Sequence, residues 1–296
     1  MSIPSLPQAA VLQEFGVSVV EPLGGRANLH WLVGAGSERL VLRRWAPSVD
    51  AADLDYELRL LAAVGALGWP VAVSLAGPIQ LEGYCWSLFS FLAGEPPLSA
   101  EPRNEQRTRG RLLAEFHGGL SQLKGFGQRG QWRRCEQILS DSALDAVLGA
   151  NERAYASEIP ILRWHLDRAR ERISALKPDR KPGMVVHGDF TAWNLRFLDG
   201  HLSGILDFEL AHWDHRIGDF ALSWRGTYDE VVHGYHEVSP LDAEEWEMLT
   251  PMWWAFLIDL ACRCFTEGQV DDGWIMKMLL RRSPLMGIDR ADFEAL

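Results

Sequence analysis

The stretch MVVHGDFTAWNLRFLDGHLSGILDFELAHWDHRIGDF, running from Met184 to Phe220, decides how this chain is read. Met184 to Val186 is a short apolar run that breaks into His187-Gly188-Asp189, the pattern of a buried strand delivering a loop. Asn194 follows, then the apolar run Leu195 to Leu198, an Asp199-Gly200 turn, and a second run from Leu202 to Leu206. Asp-Gly between two apolar runs predicts a tight hairpin. The returning strand ends on Asp207-Phe208-Glu209, so the hairpin is expected to bring Asp207 back to Asn194. Asp189 stands five residues before Asn194 on the adjoining loop. Three oxygen-bearing side chains should therefore converge at one end of a small sheet.

Such a set suits phosphoryl transfer. Mg²⁺ takes hard oxygen ligands and keeps several waters, so one Asp, one Asn and phosphate oxygens make a natural site. The remaining Asp can accept a proton from an attacking hydroxyl or orient it. HGDFTAWN followed by ILDFE resembles the catalytic and metal-binding loops of the aminoglycoside phosphotransferase and choline kinase family, small-molecule kinases with a protein-kinase-like fold. The resemblance implies that Asp189 is the catalytic base, that Asn194 and Asp207 hold Mg²⁺, and that ATP or GTP is the co-substrate. It also implies structural roles for His187 and for Asp219 of IGDFAL, the latter bonding backbone near the catalytic loop.

The 296 residues suffice for two lobes and a sizeable core. A hydrophobic content of 47% with 23% charged residues is that of an ordinary soluble globular chain. No window is expected to match the roughly 18 apolar residues of a membrane span. The start, MSIPSLPQAAVLQEFG, lacks a positive segment before a long apolar core, so no signal peptide is expected. The four cysteines are too scattered for a disulfide framework, and a cytoplasmic location is expected. A net charge of −11 argues against nucleic acid as partner. From Asp207 to Glu247 the chain holds eleven acids against two arginines. One reading is a solvated acidic face. The other is a negative cleft that concentrates a cationic acceptor, with Glu209, Asp214 and Asp259 as acceptor contacts.

Val17 to Val20 and Leu29 to Val33 read as strands flanking Gly24-Gly25-Arg26-Ala27-Asn28. That is the form of a nucleotide-covering hairpin, because backbone N–H groups approach phosphate where no side chain intervenes. Gly24, Gly25 and Asn28 are accordingly expected to contact nucleotide. In the strand Arg39 to Arg44, Arg43 falls on the family's phosphate-binding cation, with Glu57 of YELRLLAAV as its partner by the same resemblance. Alternation sends Arg44 to the opposite face, and a one-residue register change would exchange the two arginines. SLFSFLAGEP resembles the linker between lobes, where backbone near Ser90 and Leu92 would read adenine. The lobes are expected to divide near Gly94, with 1–94 binding nucleotide and 95–296 carrying catalysis and the acceptor. Asp50 to Val64 is expected to be a helix by its period, and past the linker helices are expected over Thr108 to Leu120, Leu139 to Leu148, a segment through Leu162 and Leu176, and Thr250 to Phe265. Gly125 to Arg134 reads as an exposed loop. His212, His215, His233 and His236 lack ligand partners in sensible register, so no metal is assigned to them.

The fold expected is α+β and two-lobed, an N-terminal antiparallel sheet with one helix followed by a mainly helical C-terminal lobe. The activity expected is ATP- or GTP-dependent phosphate transfer to a hydroxyl of a small cationic acceptor such as an aminoglycoside or related antibiotic. Alternatives are a homoserine, choline or sugar kinase, or a nucleotide-binding pseudokinase acting as an interaction module. A monomer or homodimer is expected, with no nucleic acid and no membrane as partner.

Overall fold

Apolar residues alternate along the two segments after the Gly-Gly loop, and the structure pairs them as neighbours, with Leu32 opposite Val41. The computed structural model describes residues 6–25, 28–97, 102–130, 132–177, 181–268 and 273–285. It divides into two compact units, Met1–Ser99 with Ala192–Glu209, and Ala100–Thr191 with Leu210–Leu296.

The first unit contains α1 (Ala9–Phe15), β1 (Ser18–Gly24), β2 (Leu29–Ala35), β3 (Glu38–Arg44), α2 (Ala51–Ala66), β4 (Ser74–Leu81) and β5 (Tyr84–Ser90). The strands form one antiparallel sheet in the order β1-β2-β3-β5-β4. One face of it buries Trp31, Val33, Leu42 and Trp86 against Val11 of α1, the two indole rings lying 5.6 Å apart. Asp50 caps α2, its Oδ1 accepting the Asp53 N–H at 2.8 Å, a contact that contributes about 1 kcal/mol. The hairpin of β7 (Leu195–Leu198) and β8 (His201–Ile205) turns on Asp199 and Gly200 with φ of 51° and 78°. Two left-handed residues are what a two-residue I′ turn requires. Val71 pairs with Ile205 and Glu95 with Phe197, which makes the hairpin part of this unit. A single division near Gly94 does not include that return, because long-range pairings leave no local trace in sequence.

The second unit holds α3 (Arg103–Leu120), α4 (Cys135–Ser140), α5 (Ala143–Asn151), α6 (Ile159–Leu176), β6 (Met184–Val186), β9 (His212–Asp214), α7 (Phe220–Ser223), α8 (Asp229–Val238), α9 (Ala243–Glu267) and α10 (Trp274–Leu280). The one helix expected from Leu139 to Leu148 is two. Asp141 leaves helical geometry and its Oδ1 accepts the Ala143 N–H, which restarts the chain as α5. α3 and α8 meet backbone to backbone. A Cβ on Gly110 would lie 2.0 Å from the Val231 carbonyl oxygen, and one on Gly234 would lie 2.0 Å from that of Arg107. α9 begins in a reciprocal cap, Asp242 Oδ1 accepting from Glu245 N and Glu245 Oε2 from Asp242 N, each at 2.9 Å. Contrary to expectation, α9 is long and apolar enough, by length and composition, to cross a membrane. Its apolar window is 67% buried inside the chain, where Trp253, Leu257 and Ile258 form the core of the unit.

Candidate active site

β6 pairs with β9, Val186 opposite His212, and releases the chain into His187-Gly188-Asp189. Gly188 has φ 81°, and a Cβ there would stand 2.4 Å from the Leu210 carbonyl oxygen, so the loop requires glycine. Asp219, fully buried, accepts the His187 N–H at 2.8 Å and the Gly188 N–H at 2.6 Å. His117 Nε2 lies 2.8 Å from the same carboxylate, and its Nδ1 is 2.9 Å from the Tyr235 hydroxyl. Burial alone would raise the Asp219 pKa. The His117 hydrogen bond, with the charges of His117 and His187, outweighs burial and holds the carboxyl below the usual range. On the other side of Asp189, the Phe190 carbonyl accepts Arg109 Nη1 at 2.9 Å and Ser223 Oγ at 2.7 Å. Backbone on both flanks of Asp189 is thus fixed by buried side chains.

In the first unit, the register Leu195 to Ile205 and the Leu206 N–H to Asn194 carbonyl bond of 2.8 Å close the open end of the hairpin. Asn194 is buried in a 3₁₀ turn, while Asp207 is exposed at φ 64°. A left-handed conformation is uncommon for a residue with a Cβ and concentrates at functional sites. An amide oxygen and a carboxylate make a hard-oxygen donor pair, which fits Mg²⁺.

The remaining sites expected for nucleotide fall in the same unit. Gly24 and Gly25 have φ of 88° and 133°, and a Cβ on Gly25 would lie 1.8 Å from the Asn28 carbonyl oxygen. Arg43, not Arg44, makes the buried pair, its Nη1 2.6 Å from Glu57 Oε1 and its guanidinium 3.8 Å over the Trp45 ring. Arg44 instead lies over Tyr84. The Asn28 side chain is used within the protein, its Nδ2 donating to Glu209 Oε2 at 2.6 Å and its Oδ1 accepting from Ala46 N at 2.9 Å. Asn28 and Glu209, expected at nucleotide and acceptor, are therefore a tie between β2 and the end of the hairpin. Ser90 gives its N–H to Val73, and Leu92 packs where a Cβ on Gly204 would approach it at 3.1 Å.

Asp214 and Asp259 both lie in the second unit. Asp214 is buried, with His212 Nε2 3.6 Å from its Oδ2. Asp259 is buried between Arg133 and Arg263, the latter bonding through Nε at 2.9 Å. Among the described residues Glu136, Asp214 and His215 bring ligand-type atoms within 4.8 Å of one another. The Arg134 guanidinium is part of that group, its Nε 2.7 Å from Glu136 Oε1, so a cation is already built in. His233 and His236 pack against Trp246.

Sequence reasoning missed a cavity of about 60 Å³ beside Gly188 and Leu210, walled by Trp132, His212, Trp253 and Phe256 and lined by Arg133 and Arg263. The segment Gly125 to Arg134 is not simply exposed, since Arg129 is buried with Nη1 on the Ala211 carbonyl at 2.9 Å. The clue available was its tryptophan and run of arginines, which an ordinary solvated loop does not need.

A family model described as the phosphotransferase enzyme family matches residues 18–246. The chain belongs to that family. Its relatives include a homoserine kinase of Rhizobium johnstonii, 29% identical over 74% of this chain and 71% of that one. A homoserine kinase of Chelativorans sp. is 26% identical over 91% of this chain and 86% of its own. Among solved structures, a thermostable mutant of aminoglycoside phosphotransferase APH(4)-Ia in ternary complex with ADP and hygromycin B is similar at a TM-score of 0.64. It has 16% identity, over 93% of this chain and 98% of that one. A microcompartment-associated aminopropanol kinase is similar at a TM-score of 0.64 and 15% identity, over 93% and 94% of the two chains. The kinase-like α+β fold expected from the sequence is the fold of these phosphotransferases. As a member of the family the chain is a small-molecule phosphotransferase, which sets aside the interaction-module reading.

Proposed function

We propose that this phosphotransferase moves the γ-phosphate of ATP to the hydroxyl of a small metabolite with little net positive charge, a hydroxy amino acid such as homoserine. The observation that carries this reading is the pairing of the acids expected to form a negative cleft. Glu230 and Glu237 are bonded to Arg107, Asp229 to Arg282, Glu245 to Arg216, and Asp242 and Glu244 to Lys181. Asp259 is taken up by Arg133 and Arg263. A field that steers a polycation needs unpaired charge of one sign, and here most of that charge is answered locally. The relatives named homoserine kinase support the same acceptor class. The resemblance to a structure holding hygromycin B keeps the aminoglycoside reading as the second one.

In this reading Asp189 accepts the proton of the acceptor hydroxyl and orients its oxygen toward phosphorus. Asn194 and Asp207 would hold Mg²⁺, which when bound neutralises phosphate charge and orients the transferred group. Arg43, paired with Glu57, would contact the phosphates covered by Gly24 and Gly25.

The test is ADP release over a panel of L-homoserine, choline, 3-amino-1-propanol and hygromycin B at low and physiological salt. L-homoserine should give the highest kcat/KM, with a KM that changes less than about twofold, since little unpaired charge is left for salt to screen. Hygromycin B as the best acceptor, with a KM climbing steeply with salt, would return the assignment to the polycation reading.

A further inference from the structure

The geometry points to a carboxylate-receiving pocket: we infer that the cavity beside the catalytic loop takes the acid group of the acceptor, with Arg263 as its anchor and Trp132 as its wall. The inference deepens the reading of the chain as a kinase of small hydroxylated acceptors and rests on it.

Position comes first. Gly188 and Leu210 line the cavity, so a molecule held here lies against the backbone of the loop that carries Asp189 at its next position. Size comes next. At about 60 Å³ the cavity exceeds the roughly 10–15 Å³ that one water needs on this measure, so it can take a small polar group such as a carboxylate.

The lining then selects the ligand. The charged side chains on the cavity wall are Arg133, Arg263, His212 and Asp214. Burial works against a charge on His212. The Asp214 hydrogen bond and charge, together with the Leu210 carbonyl 2.7 Å from Nδ1, outweigh burial and keep the imidazole above its usual value. Asp141 and Asp259 answer the charge of the two arginines, so what the wall offers is donor nitrogens not used in those pairs rather than a net positive field. An apolar wall carrying such donors recognises an anion at the end of a short carbon chain.

Arg263 is singled out by its bonding. Arg133 places Nη1 on Asp141 and Nη2 on Asp259. Arg263 uses only Nε, on Asp259 Oδ2 at 2.9 Å, and its two terminal nitrogens make no hydrogen bond among the described residues. Its guanidinium stands 5.3 Å from the Trp132 ring, whose other neighbour is the stacked His212 imidazole at 5.8 Å. Held by Asp259 at one edge and Trp132 across its face, the guanidinium offers a planar fork to a carboxylate.

The experiment compares L-homoserine with 3-amino-1-propanol, which lacks only the carboxylate, on the full chain and on Arg263→Gln and Arg263→Lys. Charge-assisted hydrogen bonds of this type predict about a 10- to 100-fold preference in kcat/KM for L-homoserine in the parent chain. Arg263→Gln should lose that preference through KM, with the KM for 3-amino-1-propanol little changed, and Arg263→Lys should keep part of it. Equal use of the two acceptors by the parent chain overturns the inference, as does a preference that survives Arg263→Gln. Calorimetric binding of L-homoserine without nucleotide separates the two claims. Binding that depends on Arg263 without turnover of either compound leaves the pocket standing and removes the kinase reading of the acceptor. Turnover of both with no carboxylate preference does the reverse, and neither binding nor turnover removes both.

Discussion

Asp189 is positioned through its neighbours. The N–H groups of His187 and Gly188 end on Asp219, and the Phe190 carbonyl receives Arg109 and Ser223. Asp189→Asn keeps the shape while removing the proposed base, so turnover should fall by about 10²–10⁴-fold. ATP affinity, measured by equilibrium binding, should stay within about twofold of the parent. Near-normal turnover in Asp189→Asn would remove the residue from the chemistry. At this scale the sequence was informative wherever residues lie close along the chain. His187, Asp189, Asn194 and Asp207 fit within a few turns of one loop and hairpin. Arg43 and Arg44 could be told apart only once Glu57 was seen bonded to one of them. Trp132 and Arg263 were invisible as a pair because more than a hundred residues separate them, and neither carries a motif.

Among elements, the tightest contact is the crossing of α3 and α8 at Gly110 and Gly234. Each glycine lets a carbonyl of the other helix approach where a methyl would overlap it. Gly234→Ala must therefore push the helices apart, straining the bonds from Arg107 to Glu230 and from Arg111 to Glu237 that flank the crossing. Overpacking of this kind destabilises by about 1–3 kcal/mol. Urea unfolding of Gly234→Ala should show a midpoint shifted down with an unchanged slope, and an unshifted midpoint would mean the helices have slack. Periodicity found α2, α3 and α6, and Asp-Gly found the hairpin. It could not find the α3 to α8 crossing, because a glycine in a helix reads as a weak position until the opposing backbone is known. The split at Asp141 was hidden for a similar reason, since Asp is tolerated inside a helix and stops one only when its side chain bonds ahead.

For the molecule as a whole, charge counted along the sequence overstated the field. The acids between Asp207 and Glu247 total far more than the local bases, yet their partners come from elsewhere, Arg107 from α3, Lys181 from the segment before β6 and Arg282 from after α10. Stability against pH follows from what is buried. His165 has no exposed surface, and burial pushes its pKa down to about 4 despite the Ile161 carbonyl bond. The unfolded chain takes up this proton near 6.5, the folded one only near 4. Between those values the unfolded state binds more protons, so stability falls as pH drops through the window. The total is roughly 3 kcal/mol, at about 1.4 kcal/mol for each tenfold change in proton affinity. Asp219 acts lower down, its contribution full above the ordinary carboxylate range and lost as pH falls through its depressed value. Urea denaturation between pH 4.5 and 7 should show that slope in the parent chain and a flatter one in His165→Gln. Equal slopes would assign the loss to other groups.

The Asp219 carboxylate, by holding the His187 and Gly188 amides, also settles when the loop loses its freedom. Those bonds are made by the protein to itself, so the backbone before Asp189 is fixed as the chain folds. The conformational entropy of fixing it, about 1–2 kcal/mol per residue, is charged to folding and not to ligand association.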